Sequence, residues 1–221
     1  MGPSRVDLDP MSDALWQWET LTQGLTGRAD AGPDIHGVAF DSRKVQPGDL
    51  FIALSGDPGT RFNPSYRSST DGHNYIDAAA TNGARGALIR TDSSYAGTLP
   101  VIRVADTYDG LWALGRLARA RLQAPVIAVT GSSGKTTAKA FLGHALDAYI
   151  PQGSFNNHIG VPISLAAAPE QAAAYVLEIG TNHPGEIEPL AQMCAPDYAV
   201  VLNVHQAHIE NFSNWAELVK E

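Results

Sequence analysis

The sequence predicts an α/β protein in which a small α/β domain precedes a second unit built on a parallel sheet. Two observations support this fold class. Short apolar runs alternate with helical patterns along the chain, and 221 residues suffice for one large or two small domains at roughly 100–200 residues per domain. We therefore predict a polar, disordered or vector-derived arm at 1–10, a first domain at 11–122 and a second, partial domain at 123–221.

Four short apolar runs supply the predicted strands of the first domain, and turn residues such as Asn82-Gly83 separate them. The runs lie at 37–40, 49–54, 86–89 and 101–104. An alanine-rich stretch between 71 and 85 predicts a short helix. The Gly-, Pro- and Ser-rich stretch at 56–70 predicts a long loop, and loops of that length are usually functional or disordered.

A helix is predicted from Thr107 to Leu122, with Asp106 or Thr107 as its cap. Its apolar face would contain Leu111, Leu114, Ala118 and Leu122. We expect its three arginines to lie on a solvated face or at the helix end, namely Arg116, Arg119 and Arg121. This helix would lead into the second domain.

The second domain has the pattern β-α-β-α-β. Its apolar runs lie at 126–129, 175–177 and 198–202. The first helix would bury one stripe, consisting of Ala138, Phe141, Leu142, Ala145 and Leu146, and Pro184 would open the second. Continuous apolar strands with helices between them predict a parallel sheet covered on both faces. A sheet that stops at its third strand would have an unpaired edge, so we also expect marginal stability or self-association.

Composition narrows the classes of partner. A net charge of −8 with an isoelectric point near 5.3 argues against a nucleic-acid or membrane-surface binder. The single cysteine, Cys194, cannot form an internal disulfide, which favours a reducing compartment. No apolar run approaches the ~20 residues that span a bilayer, and no signal pattern opens the chain. We therefore expect a cytoplasmic protein with no membrane insertion.

The strongest motif is a phosphate loop between the run at 126–129 and the helix that follows it. It consists of Gly131, Ser132, Ser133, Gly134, Lys135, Thr136 and Thr137. Glycines allow a tight turn whose N–H groups point at phosphate oxygens, Lys135 would neutralise phosphate charge and Thr136 would ligate Mg²⁺. The loop is a short variant, because Val129 stands where the general pattern has glycine.

Polar residues also follow the other two strands of the second domain. Glu178 ends the run at 175–177, at the sheet edge where ligands bind in open α/β folds, and a carboxylate there could hold a hard cation. After the run at 198–202, His205 or His208 could bind metal and Glu210 could orient it. A histidine in such a position is otherwise a packed or capping residue.

Three further motifs are weaker when taken alone. Asn156 and Asn157 lie in a predicted loop, where they could form turns or bind a substrate carbonyl or hydroxyl group. Asp41-Ser42-Arg43 follows a strand, and Asp71-Gly72-His73 precedes a helix. From the residues alone, turn formation is the better interpretation of both.

Together these motifs resemble the Mur ligase family, the ATP-dependent amide ligases that build the peptidoglycan peptide. The resemblance runs in family order from about Val38 to the last residue, and the short phosphate loop is the family's own form. Phe155-Asn156-Asn157, together with the segment from Asn182 to Glu186, is similar to the members that add D-Ala-D-Ala. The diaminopimelate- or lysine-adding members usually have a Thr-Thr-Pro segment instead.

The resemblance implies a role for each motif. Ser42, Arg43, Asp71, Gly72 and His73 would hold the UDP part of UDP-MurNAc-tripeptide, and Asn156 and Asn157 would lie near its reacting end. The phosphate loop would bind ATP. Thr136 and Glu178 would hold one Mg²⁺ and His208 a second, so that Lys135, Glu178 and His208 would carry the catalysis. The full-length protein would be a monomer.

The implied reaction forms an acyl phosphate on the tripeptide carboxylate, which the amine of D-Ala-D-Ala then attacks. The acceptor domain would not be part of this chain, and the family's carbamylated lysine would fall at position 222, after Glu221. We therefore expect the chain to be inactive by itself. Alternatives are a non-catalytic nucleotide- or UDP-sugar-binding module, another Mur-type amino-acid ligase, or a folylpolyglutamate synthase-like enzyme, although that last class lacks the UDP-binding domain.

Overall fold

The computed structural model describes residues 14–25, 27–56, 70–206 and 208–221. The expected arm at 1–10 and most of the expected loop at 56–70 lie outside these residues. In the described ranges, no helix has the length and apolar character needed to cross a membrane.

The first domain is built on a sheet whose strand order is β1-β5-β4-β3-β2. Its strands are β1 (Arg28–Ala29), β2 (Gly37–Ala39), β3 (Asp49–Ile52), β4 (Gly86–Arg90) and β5 (Val101–Val104). Its helices are α1 (Trp18–Gly24), α2 (Ile76–Thr81) and α3 (Thr107–Arg121). β1 pairs antiparallel to β5, and the other pairs are parallel. The four predicted strands and the helices between and after them are confirmed, whereas β1 and α1 are additions.

The second domain has a parallel sheet with strand order β7-β6-β8. Its strands are β6 (Val126–Thr130), β7 (Tyr175–Glu178) and β8 (Tyr198–Val201). Its helices are α4 (Lys135–Ala145), α5 (Gly160–Ala166), α6 (Ile187–Cys194) and α7 (Trp215–Lys220). The three carboxyl ends therefore meet at one sheet edge, with the end of β6 in the middle. Full coverage of the sheet holds for β6 and β7 but not for β8, where Tyr198 and Val201 are more than 60% exposed.

The buried face of α4 differs from the predicted stripe. Phe141 is 73% exposed and Leu146 is also exposed, whereas Lys139 and Gly143 are buried. A Cβ on Gly143 would lie 2.5 Å from Ile150, so glycine lets that side chain pack against the helix. The buried ammonium of Lys139 has polar partners of its own, which the hydrophobic periodicity alone did not indicate.

Helix α5 is an addition, because the sequence predicts no helix between α4 and β7. Asn157 Oδ1 accepts hydrogen bonds from the N–H groups of Ile159 and Gly160, at 3.1 and 2.9 Å, which begins the helix. Pro162 lies in the first turn, where its missing N–H costs nothing. All seven residues of α5 are buried.

Helix α6 begins at Ile187 rather than at Pro184. Gly185 has a φ of 84°, in the left-handed region, so the chain turns before the helix begins. The Glu221 carboxylate accepts hydrogen bonds from the N–H groups of Gly185 and Ile187, at 2.7 and 2.8 Å. A carboxylate at this end of the helix is favourable because it satisfies N–H groups that have no helical partner.

Helix α3 joins the two domains, because one continuous hydrophobic core extends from the first sheet to the second. A Cβ on Gly115 would lie 2.9 Å from both Met193 Sδ and Pro162 Cβ, so glycine permits the close approach of α3 to α5 and α6. The residues predicted for the apolar face of α3 are all buried, and Asp106 caps the helix as predicted.

Two arginines of α3 lie at the helix end, as expected, but they are interface residues and not part of a solvated face. Arg119 donates to the carbonyls of Cys194 and Ala195, at 2.6 and 2.8 Å. Arg121 donates to the carbonyls of Leu15 and Ala168. The carbonyls at the ends of α5 and α6 attract these cations, because the last carbonyls of a helix have no helical partner. Arg116 is exposed, as predicted.

His158 makes the stability of this interface depend on pH. Its carbonyl accepts from Trp112 Nε1 at 2.9 Å, and its ring lies 6.4 Å from that of Tyr108. Burial lowers the pKa of His158, although Glu186 opposes the shift. The unfolded state therefore binds more protons below about pH 6.5, and stability falls as the pH drops through that value toward the folded pKa.

We expect the melting temperature to fall between about pH 7.5 and pH 5, and to fall less in a His158→Gln variant. Thermal denaturation at several pH values measures this difference. His144→Gln, on the exposed face of α4, is the matched control and should leave the pH dependence of the parent unchanged. Equal losses in the parent and in His158→Gln would contradict the assignment.

Candidate functional site

The loop between β6 and α4 makes the tight turn that its glycines predict. Gly131 and Gly134 have φ values of 140° and 83°, conformations that favour glycine, and Gly134 is the residue before the helix. The first N–H groups of α4 have no helical acceptor and give this end a partial positive charge. The Lys135 ammonium donates to the Gly131 carbonyl at 2.6 Å, which places it over its own loop. The loop can therefore receive an anion such as a phosphate group.

Thr136 and Glu178 meet beside this loop. The Thr136 hydroxyl lies 2.9 and 3.2 Å from the two carboxylate oxygens of Glu178 and 2.9 Å from the Ser154 hydroxyl. Glu178 ends β7, the neighbour of β6, so parallel pairing alone brings the carboxylate to the loop. Glu178 is buried. The sequence predicted this juxtaposition correctly.

The buried carboxylate has a buried counterion that the sequence reasoning missed. The Lys139 ammonium lies 3.3 Å from Glu178 Oε2, and the side chains are 4% and 1% exposed. It also donates to the carbonyls of Pro151 and Gly153, at 3.0 and 2.5 Å, so all three of its protons have acceptors. Lys139 thereby fixes both the carboxylate and the segment that carries Ser154. The available signal was its position four residues after Lys135, which places both lysines on the same face of the helix.

The oxygen atoms of Thr136 and Glu178 fit a hard divalent cation. A hydroxyl and a carboxylate that already touch are ligands that Mg²⁺ accepts, together with phosphate oxygens. His208 lies elsewhere in the site and lines a cavity of 410 Å³ with Gly131 and Lys135. Among the described residues, no three His, Cys, Asp or Glu side chains gather into a metal-binding group. A metal role for His208 stays a prediction.

The segment after β8 contacts the tip of the phosphate loop. The Asn203 carbonyl accepts from the Ser132 N–H at 3.1 Å, and Asn203 Oδ1 accepts from the Ser133 N–H at 3.1 Å. The Ser132 hydroxyl accepts from the His205 N–H at 2.8 Å and donates to the His205 carbonyl at 3.1 Å. Sequence reasoning placed this polar segment at the correct edge but gave Asn203 no role.

The first domain has an open cavity of 740 Å³ near the ends of its strands. Ser42, Arg43 and Gly72, three of the residues predicted to bind substrate, line it together with Tyr75 and Tyr108. Arg43 is 85% exposed at its side chain and forms a bidentate pair with Asp41, with both distances 2.8 Å. The side-chain hydrogen bond from Arg43 holds the pKa of the Asp41 carboxyl below its usual value.

Asp71 and His73 bond to each other instead of lining this cavity. Asp71 Oδ1 accepts from the His73 N–H at 3.0 Å and lies 2.6 Å from His73 Nδ1. His73 Nε2 accepts from the Arg90 N–H at 2.9 Å, so the Nδ1 atom carries the proton. Burial raises the pKa of Asp71, but the hydrogen bonds from His73 outweigh it, and the pKa is lowered. Both ring nitrogens thus have internal partners, and the pair shapes the segment that contains Gly72.

Asn156 and Asn157 lie just before α5. Asn157 caps α5, as described above, and the Asn156 carbonyl accepts from the Gly180 N–H at 2.8 Å, two residues after Glu178. The turn-forming interpretation of Asn157 is therefore correct for its Oδ1 atom. Contact of either side chain with a substrate stays a prediction.

The fold and the loop geometry together define a P-loop domain joined to a small α/β domain. Comparison with known proteins adds a family relationship. Residues 129–221 match the model of the Mur ligase middle domain. The relatives described next extend this similarity to Mur ligases over both domains of the chain.

Two curated relatives are UDP-N-acetylmuramoyl-tripeptide–D-alanyl-D-alanine ligases. The protein of Bacillus subtilis is 39% identical over 81% of the chain, and that of Rickettsia prowazekii is 31% identical over 93% of it. The crystal structure of MurF from Acinetobacter baumannii is similar over 93% of the chain, with 32% identity and a TM-score of 0.77. A Thermotoga maritima MurF ligase solved in complex with ADP covers 83% of the chain, with 31% identity and a TM-score of 0.65.

The chain spans less than half the length of these relatives. It covers 38% of the Bacillus subtilis protein, 44% of the Rickettsia prowazekii protein and 44% of the Acinetobacter baumannii structure. Similarity at this coverage includes both domains of the chain, because the matched 93% cannot be accommodated by either domain alone.

Proposed function

We propose that this chain is the part of a D-alanyl-D-alanine-adding Mur ligase that binds ATP and the UDP-linked substrate. The observation that carries the proposal is the contact of Thr136 with Glu178 beside the phosphate loop, within a chain that is related to MurF ligases over both domains. A related ligase was solved with ADP, which supports a nucleotide at this loop. We also propose that the protein is located in the cytoplasm and that the full-length protein is a monomer.

In this proposal the second domain holds Mg-ATP. The N–H groups at the start of α4 and the ammonium of Lys135 bind the phosphate oxygens. Thr136 and Glu178 would hold the cation, which supplies charge neutralisation between phosphate oxygens when it is bound. The chain's own contribution would be to hold the polyphosphate in a fixed position against the sheet edge.

The first domain would bind the UDP part of UDP-MurNAc-tripeptide in the 740 Å³ cavity, which three of the predicted substrate residues line. Arg43 is exposed there and can meet a diphosphate, while Ser42 and Gly72 present small groups that allow close approach. The tripeptide would extend toward Asn156 and Asn157 and then to the phosphate loop. The loops that follow the strands of both domains would thus bind the same substrate molecule.

The reaction would begin when the tripeptide carboxylate attacks the γ-phosphorus of ATP and ADP leaves, which forms an acyl phosphate. The amine of D-Ala-D-Ala then attacks the acyl carbon and expels phosphate, losing a proton as the amide forms. Lys135 and the N–H groups at the start of α4 offset the repulsion between a carboxylate and a polyphosphate. The binding site of the amine acceptor would lie in the part of the ligase outside this chain.

Replacement of Lys135 tests the nucleotide half of the proposal. We expect the chain to bind Mg-ATP in titration calorimetry and Lys135→Ala to weaken binding by about 100-fold, because an ammonium–phosphate contact in a partly buried loop contributes a few kcal/mol. Lys44→Ala removes an exposed lysine of the first domain and is the matched control, with unchanged ATP affinity.

Turnover is measured on the whole ligase that contains this chain. ADP and phosphate should appear only when both UDP-MurNAc-tripeptide and D-Ala-D-Ala are present. An intact enzyme that accepts diaminopimelate or lysine instead would favour a sibling ligase. Binding of UDP-MurNAc-tripeptide without any turnover by the whole protein would favour a non-catalytic binding module, and equal ATP affinities of parent and Lys135→Ala would contradict the nucleotide site.

A further inference from the structure

We infer that Asn203 is a positioning residue that holds the phosphate loop in its binding conformation before the nucleotide arrives. This inference rests on the proposed function, because it assigns a role within the nucleotide site. Two hydrogen bonds join the Asn203 side chain to the backbone of a single residue, Ser133. Asn203 Oδ1 accepts from the Ser133 N–H and Asn203 Nδ2 donates to the Ser133 carbonyl, both at 3.1 Å.

This reciprocal pairing restricts the backbone of Ser133. A residue whose N–H and C=O are both bonded to one planar amide has little freedom to change its φ and ψ angles. The preceding N–H, that of Ser132, is bonded to the Asn203 backbone carbonyl at 3.1 Å. Both N–H groups at the tip of the loop therefore point toward the segment after β8, and the N–H groups of the following helix start are the ones directed at phosphate.

The segment after β8 makes further hydrogen bonds to the phosphate loop through His205. We call the contacts of Asn203 and His205 with residues 132–133 the clamp. The Ser132 hydroxyl is bonded to both the N–H and the carbonyl of His205, at 2.8 and 3.1 Å. Asn203 and His205 are thus hydrogen-bonded to residues 132–133, and the two segments follow strands β8 and β6, which are neighbours in the sheet. His208 lines the same cavity as Lys135.

The exposure of these residues favours a role of Asn203 in nucleotide binding rather than in global folding. Asn203 is only half-buried and Ser133 is exposed, so water can replace their hydrogen bonds at small cost to global stability. A glycine-containing loop that is not held must be ordered when the ligand binds, and that ordering reduces affinity. Loss of the Asn203 side chain should therefore weaken ATP binding much more than it lowers the melting temperature.

The test compares Asn203→Ala and Asn203→Asp with the parent chain. In nucleotide-free protein, hydrogen exchange of the Ser133 amide should be roughly 10-fold faster in Asn203→Ala, because one hydrogen bond is lost. Asn203→Asp keeps the acceptor and should restore protection. Calorimetry with Mg-ATP should show about 10-fold weaker binding for Asn203→Ala, with a nearly unchanged melting temperature. Gln192→Ala removes an exposed amide on α6 and should change neither readout.

Each result decides the inference. Unchanged exchange at Ser133 in Asn203→Ala would overturn the clamp, whether or not nucleotide binds. Faster exchange with unchanged ATP affinity would overturn the positioning role, as would a loss of affinity that is matched by a large fall in melting temperature. Failure of the parent to bind Mg-ATP would overturn the proposed nucleotide site and with it this role in binding, while the exchange data would still decide whether Asn203 orders the loop.

Discussion

Replacement of Lys139 by methionine is expected to lower the free energy of unfolding by about 3–5 kcal/mol, because it leaves the carboxylate of Glu178 buried without its counterion. Methionine keeps the unbranched apolar part of the side chain, so the loss measures the charge and its hydrogen bonds rather than a cavity. The carbonyls of Pro151 and Gly153 also lose their donor. Urea denaturation followed by circular dichroism gives the free energy difference.

The double variant Lys139→Met/Glu178→Gln separates an unpaired charge from a general packing defect. Glutamine has nearly the shape of glutamate without its charge, so much of the lost stability should return. Lys44→Met is the control for replacing an exposed lysine and should change stability by less than about 0.5 kcal/mol. A double variant as unstable as the sum of the two single variants would show that the ion pair is not the cause.

Replacement of Arg121 by methionine is expected to cost about 2–4 kcal/mol, since it removes two charged hydrogen bonds and a cation–π contact. The guanidinium lies 3.7 Å from the centre of the Trp16 ring and donates to the carbonyls of Leu15 and Ala168. Trp16 in turn donates from Nε1 to the Ala166 carbonyl at 2.8 Å. The chain before α1 is thus attached to the end of α5, and its loss should appear in the same denaturation experiment.

Arg116→Met is the matched control, because it lies on the same helix and is exposed. Its stability should equal that of the parent within about 0.5 kcal/mol. A second readout is the fluorescence of Trp16. In Arg121→Met the Trp16 side chain should become more exposed to solvent before global unfolding, and its emission should report this exposure. Equal stabilities of the two arginine variants would contradict the interface role of Arg121.

The sequence predicted those parts of the fold that depend on local periodicity. Strands β2 to β8 and helix α3 follow from apolar runs and from the capping residue Asp106, because these signals lie within a few residues of the elements they define. The phosphate loop and Glu178 were also predicted together, since parallel neighbours must end at one edge. The family resemblance agrees with the comparisons.

The remaining features depend on contacts that are distant in the chain. Lys139 is buried because Glu178 lies across the sheet edge, and periodicity alone assigns a lysine to the surface. Arg119 and Arg121 find carbonyls that are more than 40 residues away, at helix ends whose positions the sequence does not reveal. Helix α5 contains Gly160 and Pro162, which signal a turn unless the Asn157 cap and tertiary burial override them.

The packing of helix α3 against both domains determines where this chain can be divided for expression. A cut near residue 122 looks natural along the sequence, yet α3 covers the second sheet's helices as much as the first sheet. A first domain expressed without α5 and α6 would present bare apolar surface around Gly115, and a second domain expressed without α3 would present Pro162 and Met193 to water. The two halves should therefore be treated as complementary fragments of one packing unit rather than as separable modules.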